Sequence, residues 1–170
     1  PATAKSLMDT PRTTVVACVM QGNAAFWAHC GDSRLYLVRG DKLIARTRDH
    51  SYTELQETLS HVVPMGEKFN RNVLFTCLGS PGKPVVDTAG PLLLHAGDRL
   101  MLCSDGLWGS VSDAVIAAQM AQRPISDAAP ELVEQVYGRY PERIEVARRR
   151  LGRPLTFAEK VLFAHANDAE

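Results

Sequence analysis

Apolar and β-branched residues fill the first part of the chain in short runs that glycine-containing turns interrupt. The runs cover residues 13–20, 24–30, 33–39 and 42–48. Turns at Gly22 and Gly40 separate the first run from the second and the third from the fourth. This pattern is typical of successive β-strands. In the third run both alternating faces carry apolar residues, which indicates a sheet that packs on another layer.

The period of the pattern changes after residue 50. Ser51 and Glu54 have the spacing of a capping box, which predicts a short helix over residues 51–60. Strand-like residues return between 85 and 105, where Gly90-Pro91 and then Ala96-Gly97-Asp98 interrupt them. Because the second interruption is a compact turn, the pattern predicts a hairpin whose strands are residues 92–95 and 99–104.

Helical periodicity dominates the last third of the chain. It predicts helices over residues 112–121 and 126–137, then a basic helix over residues 142–151 that Gly152 ends, and a further helix after Thr156. Strands therefore come first and helices last, which favours an α+β fold over alternating βαβ units.

Composition and charge exclude several classes of partner. Lys plus Arg and Asp plus Glu both number 19, so a net charge of zero gives no long-range attraction to nucleic acid or to an acidic membrane. No apolar run approaches 18 residues, so neither a secretion signal nor a membrane span is predicted. The four cysteines form no Cys-x-x-Cys pair, which favours reduced thiols and a cytoplasmic location. The chain begins at Pro1, as a piece of a longer protein would.

Two aspartates follow apolar strands and stand next to glycines. Asp32 follows Gly31, and Asp105 precedes Gly106. Carboxylates at strand ends are suitable ligands for hard cations such as Mg²⁺ and Mn²⁺, and a neighbouring glycine lets backbone and water approach closely. Each pair, taken alone, equally fits an ordinary turn.

The two aspartate motifs and two further short motifs occur in an order that resembles a known protein family. Gly-Asp-Ser-Arg at 31–34, Arg-Asp-His-Ser at 48–51, Leu-Gly at 78–79 and Cys-Ser-Asp-Gly-Leu-Trp at 103–108 resemble the metal-dependent serine/threonine protein phosphatases of type 2C. The resemblance covers about residues 7–136. It implies a partial αββα sandwich, in which two antiparallel sheets pack face to face between helices, and a helical tail follows it.

The same resemblance implies a chemistry and a set of site residues. The family hydrolyses phosphoserine and phosphothreonine in phosphoprotein substrates with Mg²⁺ or Mn²⁺, through a metal-bridging water. Asp105 matches a ligand of the binuclear metal centre, and Asp32 matches a ligand of an additional, weaker metal. Gly31 and Gly106 match supporting positions. Since no phosphoenzyme forms, neither Ser33 nor Ser104 is a nucleophile candidate.

The chain also departs from the family pattern. It has no Asp-Gly-x-Gly-Gly motif near its start and no final Asp-Asn-Val-Thr strand, and Gly109 stands where many relatives carry another aspartate. One or two carboxylates do not hold a binuclear Mg²⁺ centre, because Mg²⁺ binds weakly to so few protein oxygens. Two hypotheses follow: a phosphatase that is incomplete or inactive as this chain, or a non-catalytic fragment or chimera that acts as a binding module or remnant.

The tail carries a second, shorter resemblance. Residues 148–165 are similar to the N-terminal segment of mitochondrial-type aconitases, but the tail lacks that family's iron–sulfur cysteines, so a piece of an aconitase-like protein is the weakest alternative. The predicted domains are therefore residues 1–136 and 137–170. Sheets that lack outer strands leave unpaired edges, which predicts oligomerisation. The five histidines show no partner spacing and are predicted to be structural or surface residues.

Overall fold

The computed structural model of the chain describes residues 11–59, 73–122, 124–156 and 160. Within these residues the elements, in chain order, are β1 (Val15–Gln21), β2 (Ala24–Cys30), β3 (Arg34–Arg39), β4 (Lys42–Arg46), α1 (Tyr52–Leu59), β5 (Asp87–Leu93), β6 (Arg99–Cys103), α2 (Asp105–Trp108), α3 (Asp113–Gln122), α4 (Ile125–Tyr137) and α5 (Tyr140–Leu151). The chain divides into two compact units, residues 1–37 with 44–102 and residues 38–43 with 103–170.

The strands form two antiparallel sheets with the orders β1-β2-β5 and β4-β3-β6, and helices flank them. This architecture confirms the α+β prediction and the two-sheet arrangement. In the first sheet β1 and β2 make a hairpin in which Gln21 pairs with Ala24, and Gly22 takes a positive φ of 59° in the turn. Glycine adopts this left-handed backbone without the Cβ penalty that other residues carry.

The β3 strand forms the most buried part of the described structure. Leu35, Tyr36 and Leu37 are all fully buried, so both faces of the strand are covered. The prediction of a strand that is apolar on both sides is therefore confirmed. Val38 is also buried, and the chain then turns at Gly40 into β4.

The predicted hairpin of residues 92–95 and 99–104 is wrong. A tight turn does form, in which the Asp98 amide donates to the His95 carbonyl at 3.0 Å. However, β5 pairs with β2 in one sheet, whereas β6 joins β3 in the other. The turn therefore carries the chain from sheet to sheet, because long-range partners compete successfully with the local hairpin.

Two helices of the second compact unit, α3 and α4, each bury several apolar side chains. Ile116 and Met120 on α3 and Leu132 and Val136 on α4 are buried, and α4 contacts both α2 and α3. The α5 helix ends at Gly152, which adopts a left-handed φ of 62° as its sequence position predicted. The predicted helix after Thr156 lies mostly outside the described residues.

Three expectations stay predictions at the level of the fold. They are the domain boundary at residues 136 and 137, the aconitase-like character of the tail, and oligomerisation through the edge strands. In the described residues, no helix has both the length and the hydropathy that crossing a bilayer requires.

Candidate functional site

Asp105 is the first residue of the four-residue helix α2, directly after the strand β6 and the linking Ser104. Its side chain is exposed, as are those of Ser104 and the adjacent Gly106. Trp108, at the other end of α2, is buried and anchors the helix. The sequence predicted a strand that ends on a carboxylate, and the structure adds that a helical turn presents this carboxylate to solvent.

Asp32 lies in the connection between β2 and β3, where it is partly buried. Gly31 precedes it with a positive φ of 102°, and a Cβ atom at Gly31 would lie 2.3 Å from Cγ2 of Thr14. The Ser33 and Thr14 hydroxyls lie 2.8 Å apart and share a hydrogen bond. The Gly-Asp-Ser segment is therefore held closely against Thr14, the residue before β1, and a Cβ atom at position 31 would collide with the Thr14 side chain.

The two aspartates do not by themselves make a metal centre. Asp32 belongs to the first compact unit and Asp105 to the second. Among the described residues, neither is part of a group of three or more His, Cys, Asp or Glu donors within metal-binding distance. Mg²⁺ takes six oxygen ligands in octahedral geometry, so the described residues do not fit a binuclear Mg²⁺ or Mn²⁺ centre.

A buried ion pair joins the Gly-Asp-Ser-Arg and Arg-Asp-His-Ser motifs. Arg34 donates from Nε to Asp49 Oδ1 at 2.8 Å and from one terminal nitrogen to Oδ2 at 2.6 Å, and its other terminal nitrogen donates to the Tyr36 hydroxyl at 3.0 Å. Burial lowers the pKa of the guanidinium, but these hydrogen bonds and the Asp49 charge outweigh burial and raise that pKa above its ordinary value. The Arg34 guanidinium therefore stays charged, and its hydrogen bonds tie β3 to the loop before α1.

Two buried histidines stack on each other close to these motifs in the sequence. His29 on β2 and His50 in the loop before α1 are each 3% exposed, and their rings stack with centroids 4.6 Å apart. Nε2 of His29 lies 2.7 Å from the Arg48 carbonyl, and because a carbonyl only accepts, Nε2 carries a proton. Nδ1 of His50 accepts the Gly31 amide at 3.1 Å.

Asp87 completes a group with these histidines. It pairs with His29 across β2 and β5, and its carboxylate Oδ2 lies 3.2 Å from Nε2 of His50. One donor atom from each of His29, His50 and Asp87 lies within 4.8 Å of the other two. The sequence carries no signal for this group, because no short motif spacing joins the three residues and only the β2–β5 register brings His29 and Asp87 together. His95 is exposed, whereas His61 and His165 lie outside the described residues.

Comparison with known proteins relates these features to a family. Residues 3–58 match the family model of protein phosphatase 2C. The serine/threonine protein phosphatase PstP of Mycobacterium tuberculosis is 30% identical over 79% of this chain and 26% of its own length. The serine/threonine phosphatase stp of Listeria innocua is 36% identical over 69% of this chain and 47% of its own length.

A solved structure shows the same fold. The catalytic domain of PstP, in complex with 2 manganese ions, has a TM-score of 0.57 and 30% identity over 73% of this chain and 51% of its own. The chain thus spans about half, or less, of the length of the relatives that it matches. The family model, these relatives and the solved structure all make the matched residues of this chain similar to serine/threonine phosphatases of the protein phosphatase 2C type.

Proposed function

We propose that this chain carries part of the catalytic domain of a type 2C phosphatase, which hydrolyses phosphoserine and phosphothreonine in proteins with the help of Mg²⁺ or Mn²⁺. Asp105 and Asp32 are its metal-ligand candidates, and Gly106 and Gly31 leave room beside them. The exposed Asp105 carboxylate, which α2 presents at the end of β6, is the observation that carries this proposal. Similarity to PstP, whose catalytic domain binds manganese ions, supports the choice of metal.

We further propose that the chain alone is incomplete. The described residues supply too few clustered carboxylates for a binuclear centre, so further ligands must come from residues outside the described ranges or from another chain. The expected activity of the isolated chain is therefore very low. No catalytic step is assigned to its residues, since the described residues do not fit the metal centre.

The test is a hydrolysis and binding assay on the isolated chain. Hydrolysis of p-nitrophenyl phosphate and of a phosphothreonine peptide is measured in the presence of Mn²⁺. Metal binding is measured separately as the rise in melting temperature that Mn²⁺ causes. Asp105→Asn keeps the size of the side chain and removes its charge, and Asp41→Asn is the matched control at an exposed turn. The proposal expects a rise in melting temperature that Asp105→Asn abolishes and Asp41→Asn retains.

The outcomes separate the two hypotheses of the sequence analysis. Mn²⁺ binding through Asp105 with little hydrolysis supports an incomplete phosphatase. Substantial Mn²⁺-dependent hydrolysis that Asp105→Asn abolishes would show that the chain is a complete enzyme, and the proposal of incompleteness would be wrong. If the chain shows no hydrolysis and its melting temperature does not change with Mn²⁺, the result would favour the non-catalytic binding module.

A further inference from the structure

We propose that His29, His50 and Asp87 bind a divalent transition-metal ion of the zinc type. The three donor atoms already lie within 4.8 Å of one another, and the group contains neither Asp32 nor Asp105. Both imidazole rings are almost completely buried, whereas the Asp87 side chain is 58% exposed and faces solvent. This inference stands on these three residues alone and does not depend on the proposed phosphatase function.

Two unsatisfied nitrogen atoms point to a ligand. Nδ1 of His29 and Nε2 of His50 are buried and have no hydrogen-bond partner, although Asp87 Oδ2 lies 3.2 Å from the second of them. Buried polar atoms in native proteins nearly always have a partner, so an unsatisfied pair side by side requires an explanation. A cation bound to both nitrogens and to the Asp87 carboxylate supplies one.

His29 is already oriented as a metal ligand. Its Nε2–H donates to the Arg48 carbonyl, which fixes the tautomer and leaves the Nδ1 lone pair free for a cation. Metal-binding histidines commonly donate their second ring nitrogen to a backbone carbonyl or carboxylate in this way. Stacking against His50 holds the His29 ring in place, so metal binding costs little further loss of side-chain freedom.

The donor spacing and chemistry fit zinc better than magnesium. Bonds of about 2.0–2.1 Å in a tetrahedral site place neighbouring ligand atoms roughly 3.3 Å apart. The 3.2 Å between His50 Nε2 and Asp87 Oδ2 already matches that spacing. Imidazole ligands suit Zn²⁺, Ni²⁺ and Cu²⁺, whereas Mg²⁺ prefers oxygen. The exposed side of Asp87 leaves a fourth position for water.

Binding at this group would be linked to Gly31. Nδ1 of His50 accepts the Gly31 amide, which places a ring proton on Nε2. A cation at Nε2 displaces that proton, and the neutral ring then carries it on Nδ1 and gives up the Gly31 hydrogen bond. Metal binding therefore changes the environment of the residue that precedes Asp32.

Calorimetric titration with ZnCl₂ tests the site in the full chain. His29→Gln keeps a donor for the Arg48 carbonyl and loses Nδ1, and His50→Asn keeps an acceptor for the Gly31 amide and loses Nε2. Asp87→Asn removes the exposed charge. Each variant is expected to weaken Zn²⁺ binding at least about tenfold, whereas His95→Gln, at an exposed histidine, is expected to leave it unchanged. The Gly31 amide resonance is expected to shift with Zn²⁺ in the wild type.

Two further measurements make the outcome decisive. Co²⁺ in place of Zn²⁺ is expected to give visible ligand-field bands without thiolate charge-transfer absorption, since the group contains no cysteine. Circular dichroism checks that each variant is folded. If a variant at one of the buried histidines does not fold, Asp87→Asn still tests the site, because the Asp87 side chain is exposed. Zn²⁺ affinity that is unchanged in Asp87→Asn and in the folded histidine variants, or absent in the wild type, would overturn the proposal.

Discussion

The buried polar network and the Asp105 strand end show two ways in which a chain uses a carboxylate. The network, defined as Arg34, Tyr36 and Asp49, satisfies Asp49 with two hydrogen bonds from the Arg34 guanidinium. Asp105 is exposed at the start of α2. A carboxylate that is enclosed and paired stabilises the fold, whereas one that a short helix presents to solvent remains available for a ligand.

The largest expected effect tests the buried side of this comparison. Asp49→Ala removes the carboxylate partner of the buried, charged Arg34 guanidinium, which is expected to lower the free energy of unfolding by about 3–5 kcal/mol. Glu145→Ala removes the partner of Arg148 in an exposed pair at 3.5 Å, with an expected loss of at most about 0.5 kcal/mol. Urea denaturation measures both, and similar losses would contradict the structural role of the buried pair.

The next effect concerns the Gly31 backbone. Gly31→Ala places a Cβ atom 2.3 Å from Cγ2 of Thr14 on a left-handed backbone, which is expected to cost at least about 2 kcal/mol. Gly40→Ala shares the positive φ but meets no atom within 4 Å, so about 1 kcal/mol is expected. Equal losses in the two variants would show that packing against Thr14 contributes nothing.

A smaller effect is expected at the start of α1. The Ser51 hydroxyl accepts the Glu54 amide at 3.2 Å, as the capping-box spacing predicted. Ser51→Ala is expected to lower the free energy of unfolding by about 1 kcal/mol because that amide loses its partner. Thr58→Ala, at an exposed position of the same helix, is expected to change it by less than about 0.5 kcal/mol. The same urea titrations measure this difference.

Local patterns predicted the elements better than they predicted the partners. Alternation and glycine turns predicted β1 to β4, because each strand and its turn depend on a few adjacent residues. The pairing of β5 with β2 was mispredicted, because the choice between a local hairpin and a distant strand depends on packing that a short window does not contain.

The same limit applies to the candidate sites. Asp32 and Asp105 stand out in the sequence because each lies in a short motif beside a glycine. His29, His50 and Asp87 do not, because their donor atoms meet only through the fold of β2, β5 and the loop before α1. When three ligand residues come from distant segments, their separations in the sequence form no recognisable motif.

The central claim is that Asp105 binds a ligand and does not stabilise the fold. The variant Asp105→Asn, which has the smallest expected effect on stability, gives the most direct test of this claim. Mn²⁺ titrations followed by melting temperature and urea denaturation are compared for the wild type and Asp105→Asn. The account predicts a free energy of unfolding in metal-free buffer that stays within about 0.5 kcal/mol of the wild type, together with loss of the Mn²⁺-induced rise in melting temperature. A destabilised variant that keeps the full Mn²⁺ response would contradict it.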